Sequence, residues 1–311
     1  MNRKRIAVDL AKSVFQIAES DVPGKVSRRL RLGRKEFEAY LNRLTTPAEI
    51  IMEACGTAHH WGRIAQQAGH AVVLHHAHHV SRYRTRNKTD RNDCDAILEA
   101  HRCEKHKPVP LKSAAQQQVQ QVHVLREAWK KTRTTRINQV RAVLRELGIE
   151  APVKLADFLA AAPSLVDQPQ AALIAPQLHI LLAEITHCGI WMNECEASLA
   201  RIHADDSVLA RIDEVSGIGL LTASAFVTTV VNPERFRNGR MVSAWLGMTP
   251  KESSSGNRRR LGGISRAGDT YVRTLLIHGA RAALLAARRV AVRSPDKLTR
   301  LQAWIVQLSD R

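Results

Sequence analysis

"KRIAVDLAKSVFQIAESDVPGKVSRRLRL" (residues 4–32) decides how this chain begins to fold. Three runs rich in apolar and β-branched residues, "KRIAVDL" (4–10), "SVFQIAES" (13–20) and "KVSRRLRL" (25–32), are separated by short turns. The second turn, "DVPGK" (21–25), carries Pro and Gly together. This pattern predicts three successive strands. Outward from there, "RKEFEAYLNRL" (34–44) has apolar residues at helical spacing, and "AEIIMEACG" (48–56) is a buried strand stopped at Gly56. "TAHHWGRIAQQAG" (57–69) reads as a helix closed by Gly69, and "HAVVLHHA" (70–77) as another strand. The order β-β-β-α-β-α-β, followed by more helix, is a mixed α/β pattern.

From 113 the texture changes. Val119, Val122, Leu125, Trp129, Ile137, Val140, Leu144 and Leu147 recur at steps of three, four or seven, one face of a long helix ended by Gly148. Residues 112–148 carry eight Lys/Arg against two Glu. Such a helix can pair with a partner chain, lie along nucleic acid, or pack inside its own domain. Residues 149–205 read as helical, with "APVKLADFLAAAPSLVDQPQ" (151–170) as a looser connector. In "VSGIGLLTASAFVTTV" (215–230) a Gly-x-Gly turn between apolar helical segments suits a helix-hairpin-helix element. The backbone N–H groups around Gly217 and Gly219 could then face a DNA phosphate.

The chain has 311 residues and a formal net charge of +18. Its hydrophobic content of 44% supports real cores, so a disordered basic tail is excluded. A folded chain this basic points to a polyanionic partner, nucleic acid first. The last 80 residues hold 16 Lys/Arg against five Asp/Glu, so the strongest contact is expected there. No run approaches the ~20 apolar residues of a spanning helix. Five cysteines, none in C-x-x-C spacing, argue against a disulfide framework or a zinc ribbon. A cytoplasmic, nucleoid-associated location is expected.

Against this positive background, "NKTDRNDCDA" (87–96) crowds three aspartates into six positions. Asp90 and Asp93 stand three apart at a predicted helix start and so share a face. Asp9 ends the first strand, where an isolated carboxylate costs desolvation unless paired or metal-bound. Glu53 sits likewise at the end of "IIMEACG". Four carboxylates gathered by two strand ends and a helix start would repel unless divalent cations neutralise them. Their hard oxygens suit Mg²⁺ or Mn²⁺ and phosphodiester chemistry. The competing reading is that Asp90 and Asp93 only favour the dipole of a helix N-terminus. Asp95 points elsewhere and is spare.

"AVDLAKSVFQ", "IIMEACGTAHHW" and "NKTDRNDCDAILEA" resemble the three amino-terminal motifs of the DEDD transposases, the insertion-sequence 110 family related to the pilin-gene invertase. "FRNGRMVSAWLGMTPKESSSGNRRRLGGISRAGDTYVRTLLIHGA" (236–280) resembles that family's carboxy-terminal motif. The resemblance implies an α/β plus α chain in three parts. These are a RuvC-like domain of RNase H-like fold (1–110), a helical coiled-coil linker (111–205) and a small helical transposase domain (206–311). The strand and helix order above fits the first part. The family's metal-binding tetrad falls on Asp9, Glu53, Asp90 and Asp93. A serine nucleophile that links covalently to DNA falls on Ser255, in a composite site apparently shared between subunits. The resemblance also implies a homo-oligomer, a dimer or two dimers in the synapse, and a non-coding bridge RNA that pairs with target and donor DNA.

Ser253, Ser254 and Ser265 are the other serine candidates. Arg258, Arg259 and Arg260 suit a clamp on the scissile phosphate, and Arg266 and Arg273 are expected at the nucleic acid too. Cys55 stands where the family often has a small hydroxyl residue, and as a small apolar side chain it should matter little. His59, His60, His75, His76, His78 and His79 look like a zinc set, but strand alternation would split them and no cysteine pair completes it. Some of them are expected at the surface near nucleic acid. Trp129 and Trp245 are expected in cores or helix seams. The rivals to a recombinase are a RuvC-type hydrolytic junction nuclease, which needs no serine, and a non-catalytic nucleic-acid-binding regulator on the same scaffold.

Overall fold

The structure, a computed structural model, describes residues 3–84, 90–103, 107–256 and 258–310, without the side chains of Asp90 and Arg91. The chain divides into two compact units, 1–117 and 118–311.

The first unit is built on one five-stranded sheet. The three predicted strands form β1 (Arg5–Asp9), β2 (Val14–Ser20) and β3 (Arg28–Gly33), an antiparallel meander. The helix α1 (Arg34–Arg43) leads to β4 (Glu49–Glu53), and α2 (Ala58–Gln67) leads to β5 (Ala71–His75). Both later strands run parallel to β1, giving the order β3-β2-β1-β4-β5. Alternation assigns the two faces. Ile6, Val8, Ile50 and Met52 meet Phe37 and Leu41 of α1 and Trp61 of α2. Phe15, Phe37 and Trp61 pack edge to face there, with centroids 5.0–5.5 Å apart. On the other face, Ala7, Ala18 and Ile51 receive Cys94, Ile97 and Ala100 of α4 (Asp90–Arg102).

"HAVVLHHA" is a strand only to His75. The chain then turns into the short helix α3 (Ala77–Ser81), because His76 caps it by accepting from the His78 backbone N–H at 3.2 Å. His78 and His79 are therefore helical, and strand alternation does not apply to them.

The second unit opens with α5 (Ala114–Glu146), which pairs antiparallel with α7 (Ala175–Ile202). Arg126 meets Glu196, Trp129 packs at a tilt against Trp191 with ring centroids 4.7 Å apart, and Arg136 meets Glu184 at 2.7 Å. The apolar stripe of α5 thus finds its partner inside its own chain. The expected loose connector is instead the helix α6 (Leu155–Val166), which accommodates Pro163. Phe158, Ala162 and Val166 recur every four residues and seal Ile137, Val140 and Leu144 of α5 against Leu178 and Ile185 of α7. Leu125, expected on the buried face, is 51% exposed, and His123 is buried in that half of the helix.

Helices α8 (Ser207–Asp213) and α9 (Leu220–Val230) flank the Gly-x-Gly turn. Then come α10 (Gly239–Trp245), a hairpin of β6 (Pro250–Glu252) and β7 (Leu261–Ile264), α11 (Thr270–Arg293) and α12 (Arg300–Ser309). Leu246 and Val272 are the buried heart of a small cluster that includes Trp245, whose ring lies 5.4 Å from Phe236. Together the units make a mixed α/β amino-terminal sheet followed by a helical carboxy-terminal region. No helix among the described residues is long and apolar enough to cross a membrane.

One histidine ties the first unit together. His70 Nε2–H donates to the Leu41 carbonyl at 2.9 Å, and its Nδ1 accepts from the Ala48 N–H at 3.3 Å. Replacing His70 by Ala leaves both buried backbone groups unsatisfied. We expect a loss of about 2–3 kcal/mol, read as a lowered urea midpoint with unchanged slope.

Candidate active site and nucleic-acid interface

β1 and β4 are parallel neighbours in register at Val8 and Met52, so Asp9 and Glu53 end adjacent strands one position further on. Both lie on the sheet face that Ala7 and Ile51 present to α4. Each is half-buried. The Glu53 carboxylate has no hydrogen-bond or ion-pair partner among the described residues. The start of α4 approaches the same corner. Cys94 donates its thiol to the Gln16 carbonyl at 3.3 Å, and burial, with the carboxylates of Asp9 and Asp95 nearby, pushes that thiol up to about 12. A thiol so held is inert as a nucleophile. Asp93 is buried, and its Oδ1 accepts from Arg84 Nε at 2.5 Å. Asp95 turns away and pairs with Arg29 at 2.7 Å. Asp90 is the first residue of α4, and its side chain lies outside the described residues. Among the described residues no three His, Cys, Asp or Glu side chains are close enough to hold a metal ion. The donor chemistry of Asp9, Glu53 and Asp93 is nonetheless that of a hard divalent cation.

The serines stand on the β6–β7 hairpin. Ser253 N–H donates to the Arg260 carbonyl at 2.9 Å, and Ser255 and Arg258 exchange backbone hydrogen bonds across the tip. Ser254 Oγ is fully engaged. It donates to Glu252 Oε1 at 2.8 Å and accepts from the Arg260 N–H at 3.2 Å. Glu252 also pairs with Arg259 at 3.4 Å. Ser255 is exposed, and its hydroxyl makes no hydrogen bond among the described residues. Ser265 is half-buried beyond β7. Arg258, Arg259, Arg260 and Arg266 are exposed, Arg266 with a left-handed φ of 57°.

Arg273 needs a correction. It is 6% exposed, and its guanidinium donates to the carbonyls of Leu246 at 2.9 Å and Ala267 at 3.1 Å and to Thr270 Oγ1. It bolts the end of α10 to the start of α11 from a buried position. Gly217 also has a packing role. Its φ is 88°, and a Cβ there would stand 2.3 Å from the Gly279 carbonyl oxygen of α11. Gly219 is the N-cap of α9, with open space around it.

Two of the six histidines are structural. His59 Nδ1 accepts from the Lys112 N–H at 3.2 Å while Arg63 donates to the Lys112 carbonyl at 3.0 Å. Buried His75 donates from Nε2 to His101 Nδ1 at 3.2 Å, and His101 donates from Nε2 to Glu49 at 2.9 Å.

Comparison with known proteins then decides the family. The DEDD transposase family of insertion sequence 110 matches residues 6–149, and the family described as Transposase IS116/IS110/IS902 matches residues 209–294. A probable family 20 transposase of Pseudomonas aeruginosa is 39% identical over 290 residues, 91% of this chain and 84% of its own length. The chain belongs to the IS110 transposase family. The transposase for insertion sequence element IS1111A of Coxiella burnetii is 34% identical, over 97% of this chain and 83% of its own. A putative transposase of Sinorhizobium fredii is 31% identical over 99% and 78%. The protein is thus an insertion-sequence transposase, a DNA-acting enzyme.

The second unit of this transposase holds a polar chain that the sequence reading missed. Asp206 Oδ2 lies 3.2 Å from His203 Nδ1, and His203 Nε2 lies 2.9 Å from Ser224 Oγ. Ser224 Oγ lies 3.0 Å from His123 Nε2, and His123 Nδ1 lies 3.1 Å from the Tyr271 hydroxyl. An ionised carboxylate only accepts, and with one ring proton on each imidazole this gives a single consistent order. His203 donates to Asp206, Ser224 to His203, His123 to Ser224, and Tyr271 to His123. The order requires both histidines neutral. Asp206 is held below the usual carboxylate range by the N–H of Leu209, then by His203 and the N–H of Val208, against the opposing effect of burial. The Asp206–His203–Ser224 spacing resembles a hydrolytic triad, but Ser224 is 0% exposed and no substrate could reach it. The chain is a tie between α5, α8, α9 and α11.

Burial, then the charges of Arg126 and His203, pushes His123 down to about 4. A histidine depressed below its unfolded value of ~6.5 contributes stability that is complete above that pH. The contribution is lost as pH falls toward 4. We expect the urea midpoint to drop between pH 6.5 and 4.5, with His123 contributing on the order of 2 kcal/mol. His123→Ala should be weaker at pH 7 and lose less across the same interval. His59, pushed down to about 4 by burial and then by Lys112 and Arg63, leaves a residual slope.

Proposed function

We propose that this transposase cleaves and rejoins DNA strands through a covalent serine–DNA link, with a divalent cation held by Asp9, Glu53, Asp90 and Asp93. One observation carries the reading: Asp9 and Glu53 end adjacent parallel strands of a β3-β2-β1-β4-β5 sheet, on the face where α4 begins. That topology supports the RNase H-like, RuvC-like assignment of the first unit. The α5–α7 pair supports the coiled-coil linker.

Ser255 fits the nucleophile because its hydroxyl is exposed and uncommitted, whereas Ser254 Oγ has spent its proton on Glu252. In the cleavage step a bond forms from Ser255 Oγ to phosphorus as the bond to a sugar oxygen breaks. The serine proton passes to water, and water returns a proton to the departing sugar oxygen, so the strand end leaves as a hydroxyl. Rejoining is the reverse displacement by another strand's hydroxyl, so no external energy source is needed. Mg²⁺ or Mn²⁺ would supply charge for the oxygens of the scissile phosphate. Arg258, Arg259 and Arg260 would grip the neighbouring phosphates, with Arg266 and the Gly217–Gly219 turn as further contacts. Action as a homo-oligomer and guidance by a bridge RNA follow from the family likeness.

The test is covalent trapping. Full-length protein, Mg²⁺, element-junction DNA and RNA from the element's flank are combined and run on a denaturing gel. We expect a protein–DNA adduct in wild type and none in Ser255→Ala or Asp9→Ala, while Ser253→Ala retains it. Nicked DNA without adduct, kept in Ser255→Ala and lost in Asp9→Ala, would replace the serine mechanism with hydrolysis.

A further inference from the structure

The carboxylate corner contains a cation of its own. Arg84 Nε donates to Asp93 Oδ1 at 2.5 Å, and this is the only partner Asp93 has among the described residues. Asp93 is only 9% exposed. A carboxylate offers about four acceptor sites. Held by one N–H, Asp93 has no partner for its second oxygen among the described residues, and that oxygen is the atom it can offer to a further positive charge.

We propose that Arg84 is a positioning residue that fixes Asp93 through one oxygen and, by its charge, weakens the hold of the acidic corner on a divalent cation. This rests on the reading of Asp9, Glu53 and Asp93 as cation ligands. Arg84 would do two things at once. It holds Asp93 in place through one oxygen, with a positive charge set against the acidic corner. It also repels a cation on the second oxygen, which keeps that cation exchangeable. Neutralising Arg84 should therefore tighten cation binding. A divalent and a monovalent charge about 6 Å apart at high effective dielectric give about a tenfold effect on affinity.

The experiment measures Mn²⁺ binding to the EDTA-stripped full-length protein by electron paramagnetic resonance of the free ion. No DNA or turnover is involved. Arg84→Gln should bind Mn²⁺ about tenfold more tightly than wild type, and Arg84→Lys, which keeps the charge, should stay near wild type. Arg84→Met serves as a second neutral variant if Arg84→Gln does not fold by circular dichroism. Unchanged or weaker binding in the neutral variants overturns the proposal. So does a lysine variant as tight as the glutamine one. Asp9→Asn separates the two levels: if it binds Mn²⁺ like wild type, the cation reading of the corner falls. If it loses binding while the neutral Arg84 variants match wild type, only the role of Arg84 falls.

Discussion

The contact between α4 and the sheet is what the acidic corner depends on. Ala7 and Ala18 present almost no side chain, so Ala96, Ile97 and Ala100 can press down on β1 and β2. That close approach lets the Cys94 thiol reach a strand carbonyl and brings Asp93, one residue earlier, under cover. A larger residue at 7 or 18 would lift the helix and carry Asp93 away from the ends of β1 and β4. Positions that look featureless thus set the geometry of charged ones some distance along the chain.

Buried polarity is handled mostly by histidine. His59 and His70 each bond backbone groups, and His101 of α4 ties that helix to His75 of β5 and Glu49 of β4. His123 and His203 do the same through side chains. The imidazole suits this because it donates on one side and accepts on the other, bridging two groups of opposite need. The same property makes it a poor bridge once protonated, when both nitrogens donate.

Much of the first unit was legible in the sequence because its signals are local. Strand alternation, turn residues and the start of α4 are written within a few residues of where they act. The places of Asp9 and Glu53 at strand ends followed from the same alternation. What escaped depends on distant partners. Ser224 lies in a stretch of small helical residues, and its partner His123 is about a hundred positions away. The available clue was that His123 falls four residues after Val119 on the buried line of α5, where an apolar residue is expected. Arg273 stands in a basic motif where phosphate is the expected partner, and only packing shows its guanidinium donating to carbonyls. Segment 151–170 has the texture of a connector, whereas the packing of Phe158 against α5 and α7 holds α6 helical through Pro163.

The meeting of Gly217 with Gly279 has a consequence for how this unit can vary. A Cβ on either would land within 2.3 Å of the other's carbonyl oxygen, so backbone lies against backbone with no side chain between. Large and small partners elsewhere, such as Trp129 with Trp191, can trade volume, one shrinking as the other grows. Two glycines already at the minimum have nothing to trade. In a library of random variants the pair would act as one position with one permitted letter, and no second change at either place would restore the first.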